Sequence, residues 1–161
     1  DVLRDMGARL EIGNERESGG EALADIRVRA AHLRGVSFGG AVIPRLIDEI
    51  PVLAVAALFA EGDTVISDAA ELRVKETDRL QAVTDELNRL APGAVEATED
   101  GMIIHGGRNV SPAVCHTYDD HRMAMSLAVA GAAGAGLTLD APECVDISYP
   151  SFYNTLEGLM Q

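Results

Sequence analysis

The stretch Asp48–Gly62, DEIPVLAVAALFAEG, carries an acid, a long apolar body and a closing glycine. At an offset of 72 residues it lies over Asp120–Gly134, DHRMAMSLAVAGAAG, which has the same three parts. Extending the comparison without a gap sets residues 48–89 over 120–161 and gives eight identities in 42 positions. These pair Asp48 with Asp120, Ala56 with Ala128, Ala60 with Ala132, Gly62 with Gly134, Asp68 with Asp140, Ala69 with Ala141, Glu71 with Glu143 and Leu87 with Leu159. The order helix–strand–helix recurs with the identities, so the chain is expected to be a repeated α/β unit built around a shared core.

Outward from this pair, the pattern predicts a long apolar helix over about Pro44–Ala60, with Gly62 in the position a helix C-cap favours. Asp63–Ser67 is expected as a strand. Lys75–Leu90 is expected as an amphipathic helix, with Leu80, Val83, Leu87 and Leu90 three and four apart. Short strands are predicted near Val95–Ala97, Met102–His105 and Leu137–Leu139, a buried helix over His121–Ala133, and a last helix over Ser151–Met160. Upstream, Ala8, Leu10 and Ile12 alternate with polar residues as in a half-buried strand, and Asp25–Ala30 does so again through Ile26 and Val28. The polar, glycine-rich stretch Gly13–Glu21 between them reads as a surface loop. Asp1–Met6 resembles the end of a helix and Ser151–Gln161 a helix that stops in mid-pattern, so the 161 residues are expected to be a piece of a longer chain.

Composition narrows the function classes. Thirteen Lys and Arg against 26 Asp and Glu give a formal charge of −13, which excludes a basic surface for nucleic acid or anionic lipid. A hydrophobic share of 47% is that of an ordinary globular domain, and the length fits one domain. Two cysteines, Cys115 and Cys144, make no disulfide framework and no four-thiolate zinc site, and a cytoplasmic setting is the expectation. The longest apolar stretches, Pro51–Ala60 and Met123–Ala135, are shorter than the roughly 20 residues of a membrane span.

Three places could hold chemistry. Glu71-Leu-Arg-Val-Lys-Glu-Thr-Asp-Arg79 is the densest cluster of charge and opens the amphipathic helix. Lys75 and Arg79, four apart on one helix face, would join the positive end of the helix dipole in an anion site, with Glu76 beside them as a general acid or base. The same residues read equally as a solvated helix start with intrahelical Glu–Arg pairs. Tyr118-Asp-Asp-His-Arg122 stands at the mouth of the most apolar helix. There Asp119 or Asp120 reads as an N-cap with a pairing partner, or the cluster is functional. A metal site from Asp119, Asp120 and His121 finds no support in His32, His105 or His116, which show no ligand spacing. Asp48 is either a carboxylate on the buried side of its helix, with a raised pKa unless paired, or an exposed acid next to Glu49. The glycine pairs at 19–20, 39–40 and 106–107 are turn signals with no phosphate-binding loop behind them, and no serine sits in a nucleophile elbow.

Two of these runs together resemble a known family. ELRVKETDR (Glu71–Arg79), followed by DHRMAM (Asp120–Met125), is similar to the pair of C-terminal signatures of the 5-enolpyruvylshikimate-3-phosphate synthases. IDEIPVLAVAALFAEG (Ile47–Gly62) resembles the segment that precedes them. The resemblance covers essentially the whole chain. It implies transfer of the enolpyruvyl group of phosphoenolpyruvate to the 5-hydroxyl of shikimate 3-phosphate, by addition and then elimination of phosphate, with no metal and no organic cofactor. It also implies two lobes of repeated β-α-β-α-β-β units, this chain being one domain, part of the C-terminal lobe, in a cytoplasmic enzyme that is monomeric at full length. Carried over by position, Asp48 would lie at the shikimate 5-hydroxyl as a proton acceptor and Lys75 would contact shikimate 3-phosphate. Glu76 would exchange the proton on the phosphoenolpyruvate methylene carbon. Arg79 and Arg122 would clamp the phosphoenolpyruvate anion, flanked by His121.

Two positions depart from the pattern. Ile147-Ser-Tyr-Pro150 stands where one branch of the family has Lys-Thr-Phe-Pro, and Glu71 stands where some members have Asn. The family's N-terminal Lys-Ser pair, its Arg and its Ser-Ser-Gln-like loop belong to the other lobe, so the isolated chain is expected to be inactive. Two other readings are the enolpyruvyl transferase acting on UDP-N-acetylglucosamine, which the two signature runs disfavour, and a non-catalytic anion-binding module of the same fold.

Overall fold

The computed structural model describes residues 1–134 and 136–160. Ala135, the last residue of one apolar stretch, and Gln161, the last of the 120–161 comparison and of the terminal segment, lie outside the described residues.

A single helical turn, α1 (Val2–Asp5), leads into a hairpin of β1 (Arg9–Ser18) and β2 (Glu21–Arg29). Gly19 and Gly20, both at positive φ, make the two-residue turn that suits such a hairpin. The surface loop expected over Gly13–Glu21 is therefore strand and turn. With no apolar residue from Gly13 to Ser18, neither face of that stretch alternates, and the pattern that marks a strand is missing. The ribbon's two faces do differ nearer its base. Leu10 pairs with Val28 and Ile12 with Ile26 on one face, while Glu11 meets Arg27 and Arg29 on the other.

After β3 (Ser37–Phe38) the expected long helix over Pro44–Ala60 is two helices, α2 (Ile43–Leu46) and α3 (Ile50–Leu58). Pro51 explains the break: it has no N–H to give, and its ring would collide with the carbonyl of Ile47 in a continuous helix. Nor is Gly62 the C-cap. Helix α3 ends at Phe59, and Gly62, at φ +84°, turns the chain into β4 (Asp63–Ile66).

A 3-10 turn over Ala70–Val74 precedes α4 (Arg79–Leu90), which buries Leu80, Val83, Leu87 and Leu90 as the spacing requires. Strands β5 (Val95–Ala97) and β6 (Met102–His105) complete a four-stranded sheet in the order β3-β4-β6-β5. Within it β3 and β4 are parallel and the other pairs antiparallel. A second parallel pair follows, β7 (Ala113–Cys115) with β8 (Leu137–Leu139), joined by α5 (His121–Ala133). A 3-10 turn over Pro142–Ile147 and α6 (Phe152–Leu159) come last. Strand β3, at two residues, is too short to leave a periodic signal, and β7, at three, was not expected either. In the main core cluster α3, α4 and α5 meet the sheet through Leu53, Leu58, Leu80, Leu87, Ile104, Met123 and Leu127, and a smaller cluster holds Ala124, Cys144 and Val145. No helix among the described residues is long and apolar enough to cross a membrane.

Gly106 marks a tight junction between the sheet and the end of α3. Its N–H donates to the Gly62 carbonyl at 3.1 Å, and a Cβ there would run into the backbone oxygens of Ala57, Ala60 and Gly62. Gly106→Ala is expected to destabilise the fold by about 1–3 kcal/mol, the scale of overpacking against a backbone that cannot move. Gly13→Ala, which meets nothing, is the control. Equal urea midpoints for the two variants would show that the junction yields.

Candidate functional site

Three helix beginnings converge on one guanidinium. The break before α3 leaves Asp48 in a turn, where its backbone carbonyl is free of the helix and accepts from Arg122 Nη1 at 3.1 Å. Asp120 caps α5, accepting from the backbone N–H of Arg122 at 2.9 Å and of Met123 at 3.3 Å. Asp78 caps α4, accepting from Gln81 N–H at 3.0 Å. Arg79, the first residue of α4, reaches into the middle and is 1% exposed.

Its donors are almost fully committed. Nε donates to Asp120 Oδ2 at 2.6 Å and Nη2 to Asp120 Oδ1 at 3.3 Å. Nη1 donates to Asp48 Oδ1 at 2.8 Å, and Nη2 also donates to Glu76. Lys75 Nζ lies 3.7 Å from the same Asp48 oxygen and 2.9 Å from Glu71 Oε1, while Arg122 Nη1 donates to Glu49 Oε1 at 2.7 Å. His121, half-buried, opens α5 next to Arg122.

The two aspartates are unlike. Asp120 is wholly buried, whereas the Asp48 side chain is 44% exposed. Desolvation pushes the Asp48 carboxyl up, but the Arg79 hydrogen bond and the charges of Lys75 and Arg122 outweigh it and hold the group below the usual carboxylate range. It is ionised at neutral pH. Burial likewise works against the Arg79 charge, and Asp120, Asp48 and Glu76 overcome it.

The expected helix over Lys75–Leu90 starts four residues late. Lys75 is extended, and it and Glu76 lie in a loop ahead of α4, not on a helix face with Arg79. Arg73 closes that loop, donating to Asp78 Oδ2 at 3.0 Å and to the carbonyls of Thr98 and Glu99. A helical spacing of Lys75 and Arg79 thus predicted the right neighbours for a wrong reason. Asp48, Lys75, Glu76, Arg79 and Arg122 do come together, with His121 at their edge. Ile147 is exposed at the end of its 3-10 turn.

Asp120, one of the two residues expected as an N-cap with a pairing partner, is the cap of α5 and the buried counter-ion of Arg79. Its signal was the match to Asp48 at the offset of 72 residues. Glu49 and Arg73 were missed, and nothing in their local pattern distinguishes them. In sum the cluster sets five carboxylates (Asp48, Glu49, Glu71, Glu76 and Asp120) against three cations (Lys75, Arg79 and Arg122).

This arrangement of helices and small mixed sheets is the α/β fold of the enolpyruvyl transferases. The enolpyruvyl transferase NikO from Streptomyces tendae covers 98% of this chain with a TM-score of 0.68 and 23% identity, a likeness of fold. The chain belongs to the EPSP synthase (3-phosphoshikimate 1-carboxyvinyltransferase) family, whose model matches residues 1–156. It is 52% identical to the 3-phosphoshikimate 1-carboxyvinyltransferase of Roseiflexus castenholzii, over 100% of this chain and 37% of that protein. The protein of that name from Synechococcus is 54% identical over 99% of this chain and 36% of its own length. EPSP synthase from Acinetobacter baumannii has a TM-score of 0.90 at 38% identity, covering 99% of this chain and 37% of that one. The chain therefore spans a little over a third of the length of the relatives it matches.

Arg79→Ala is expected to cost about 3–5 kcal/mol of stability, because it leaves Asp120 as a buried unpaired charge. Denaturant midpoints measure this, and a loss below about 1 kcal/mol would mean that Asp120 finds another partner. Asp48 gives a pH dependence of definite sign. Its lowered folded pKa contributes stability that is present above the ordinary carboxylate pKa and is lost as pH falls through the folded value. Asp48→Asn should therefore flatten the loss of stability as pH falls below the ordinary carboxylate pKa. An unchanged acid limb would remove Asp48 from the ion cluster in solution.

Proposed function

We propose that this chain is part of the C-terminal lobe of an enzyme that transfers the enolpyruvyl group of phosphoenolpyruvate to the 5-hydroxyl of shikimate 3-phosphate. The observation that carries the reading is the meeting of Asp48, Lys75, Glu76 and Arg122 around Arg79. The rest of the enzyme is the remainder of this lobe and a second lobe, and the full-length protein is a cytoplasmic monomer.

The reaction needs a base at the attacking hydroxyl, an acid at the methylene carbon, and cations for a substrate with carboxylate and phosphate charge. In the addition step the 5-hydroxyl oxygen bonds to C2 of phosphoenolpyruvate while C3 takes a proton. In the elimination step C3 loses a proton and the C2–phosphate bond breaks. Asp48, ionised and partly exposed, accepts the hydroxyl proton. Glu76 gives and removes the proton at C3. Lys75 binds shikimate 3-phosphate; Arg79 and Arg122 bind phosphoenolpyruvate, with His121 beside them.

Arg79 is 1% exposed, and its partly exposed partners Asp48 and Glu76 mark its open side. A bound anion would take over the guanidinium N–H that Glu76 holds, and so release that carboxylate for proton transfer. Arginine suits this exchange, since its planar fork can pass from one carboxylate to another. With carboxylates in excess, the cluster by itself repels a trianionic substrate, and the second lobe must supply further cations.

The isolated chain is expected to show no turnover above a Lys75→Ala control, whereas the full-length enzyme turns over. In the full-length enzyme Glu76→Gln should lower the turnover number by about 10²–10⁴ with little change in KM for phosphoenolpyruvate. Exchange of solvent deuterium into the methylene group should slow with it. Wild-type exchange in Glu76→Gln would leave Glu76 only as a partner of Arg79.

A further inference from the structure

Glu86 is a carboxylate on α4 with no exposed surface and no share in the Arg79 cluster. Its Oε1 accepts from Tyr118 Oη at 2.9 Å and Arg89 Nε at 3.1 Å, and its Oε2 from the His116 N–H at 3.0 Å. Arg89, one turn along the same helix, reaches only Oε1. The other two donors come from the segment that delivers Asp120, His121 and Arg122.

That segment is strained. Tyr118 and Asp119 are consecutive non-glycine residues at φ 58° and 54°, in a turn closed by Asp120 N–H donating to the Thr117 carbonyl at 3.0 Å. Two left-handed residues in a row suit Asn and Gly, and a tyrosine there persists only if its surroundings impose it. Asp140 holds one end, accepting from Thr117 N–H at 2.8 Å and Thr117 Oγ1 at 3.0 Å. Glu86 holds the middle through the tyrosine hydroxyl. Helix α4 thus grips the start of α5 twice, by Arg79 on Asp120 and, two turns further on, by Glu86 on Tyr118. Arg79 and Glu86 are seven residues apart, and so lie on one side of the helix.

We propose that Tyr118 and Glu86 are positioning residues for phosphoenolpyruvate: their hydrogen bond holds the strained turn that sets Arg122 and His121 in the anion site. The proposal rests on the functional reading above. It predicts a loss in substrate binding from a residue that does not touch substrate.

The test is steady-state kinetics on the full-length enzyme with Tyr118→Phe, which removes only the hydroxyl, and Tyr118→Asn, which tolerates the left-handed backbone but cannot reach Glu86. Both should raise KM for phosphoenolpyruvate about tenfold, the scale of one hydrogen bond to a charged acceptor, while kcat changes less than about threefold. A wild-type KM in either variant overturns the proposal, as does a fall in kcat at unchanged KM. A lower melting temperature with wild-type kinetic constants also overturns it, since the bond would then serve stability alone. If Tyr118→Phe fails to fold, the Asn variant decides. Absence of turnover in the wild-type full-length protein would instead remove the functional reading. Calorimetric titration with phosphoenolpyruvate then decides the positioning role, and equal affinities for wild type and Tyr118→Asn, or no binding by either, would end it.

Discussion

Everything near the site depends on one buried cation. A guanidinium taken out of water costs several kcal/mol unless its charge and its donors are met, and Arg79 is met from three helix beginnings at once. Asp120 neutralises it from within the core; Asp48 and Glu76 do so from the open side. Arg79 and Asp120 could not occupy their places in the core without each other. The ion pairs therefore fix the relative placement of α3, α4 and α5, which the apolar contacts of Leu53, Leu87 and Met123 leave less specific. Apolar contacts hold the helices together, and the arginine sets how they meet.

The inner and outer acids around Arg79 do different work because water reaches one and not the other. Asp120 has no surface, and its two oxygens are spent on Arg79 and on the first N–H groups of α5. Asp48 shares its oxygen between Arg79 and Lys75 and keeps contact with solvent. A group in the first setting can only hold; one in the second can exchange partners. The same contrast separates Glu86 from Glu76.

Much of this was legible in the sequence, for identifiable reasons. Helices α4 and α5 showed themselves through the spacing of Leu80, Val83, Leu87 and Leu90 and through the apolar run from Met123, since burial of one face or of all faces leaves a period. The family signatures brought together Asp48, Lys75, Glu76, Arg79 and Arg122, although no local rule places residue 48 against residue 79. What failed was punctuation. Pro51 was read past because the apolar run around it continues, although its ring forbids a continuous helix. Asp78 was read as helix interior, although it is the cap, so Lys75 was placed on a face it does not share. Glu49 and Arg73 were not legible at all, since an exposed charge looks alike whether it is solvated or paired.

The β1–β2 ribbon has a consequence for how the chain behaves in bulk solution. Its Ile12, Ile26 and Val28 side chains stand exposed on one face, next to a row of backbone groups that no third strand covers among the described residues. Such a ribbon adheres to its own kind. What keeps copies apart is the charge of −13, a long-range repulsion that outweighs a short apolar stripe at neutral pH. That repulsion vanishes near the isoelectric point of about 4.5, so mild acidification removes what keeps the copies apart.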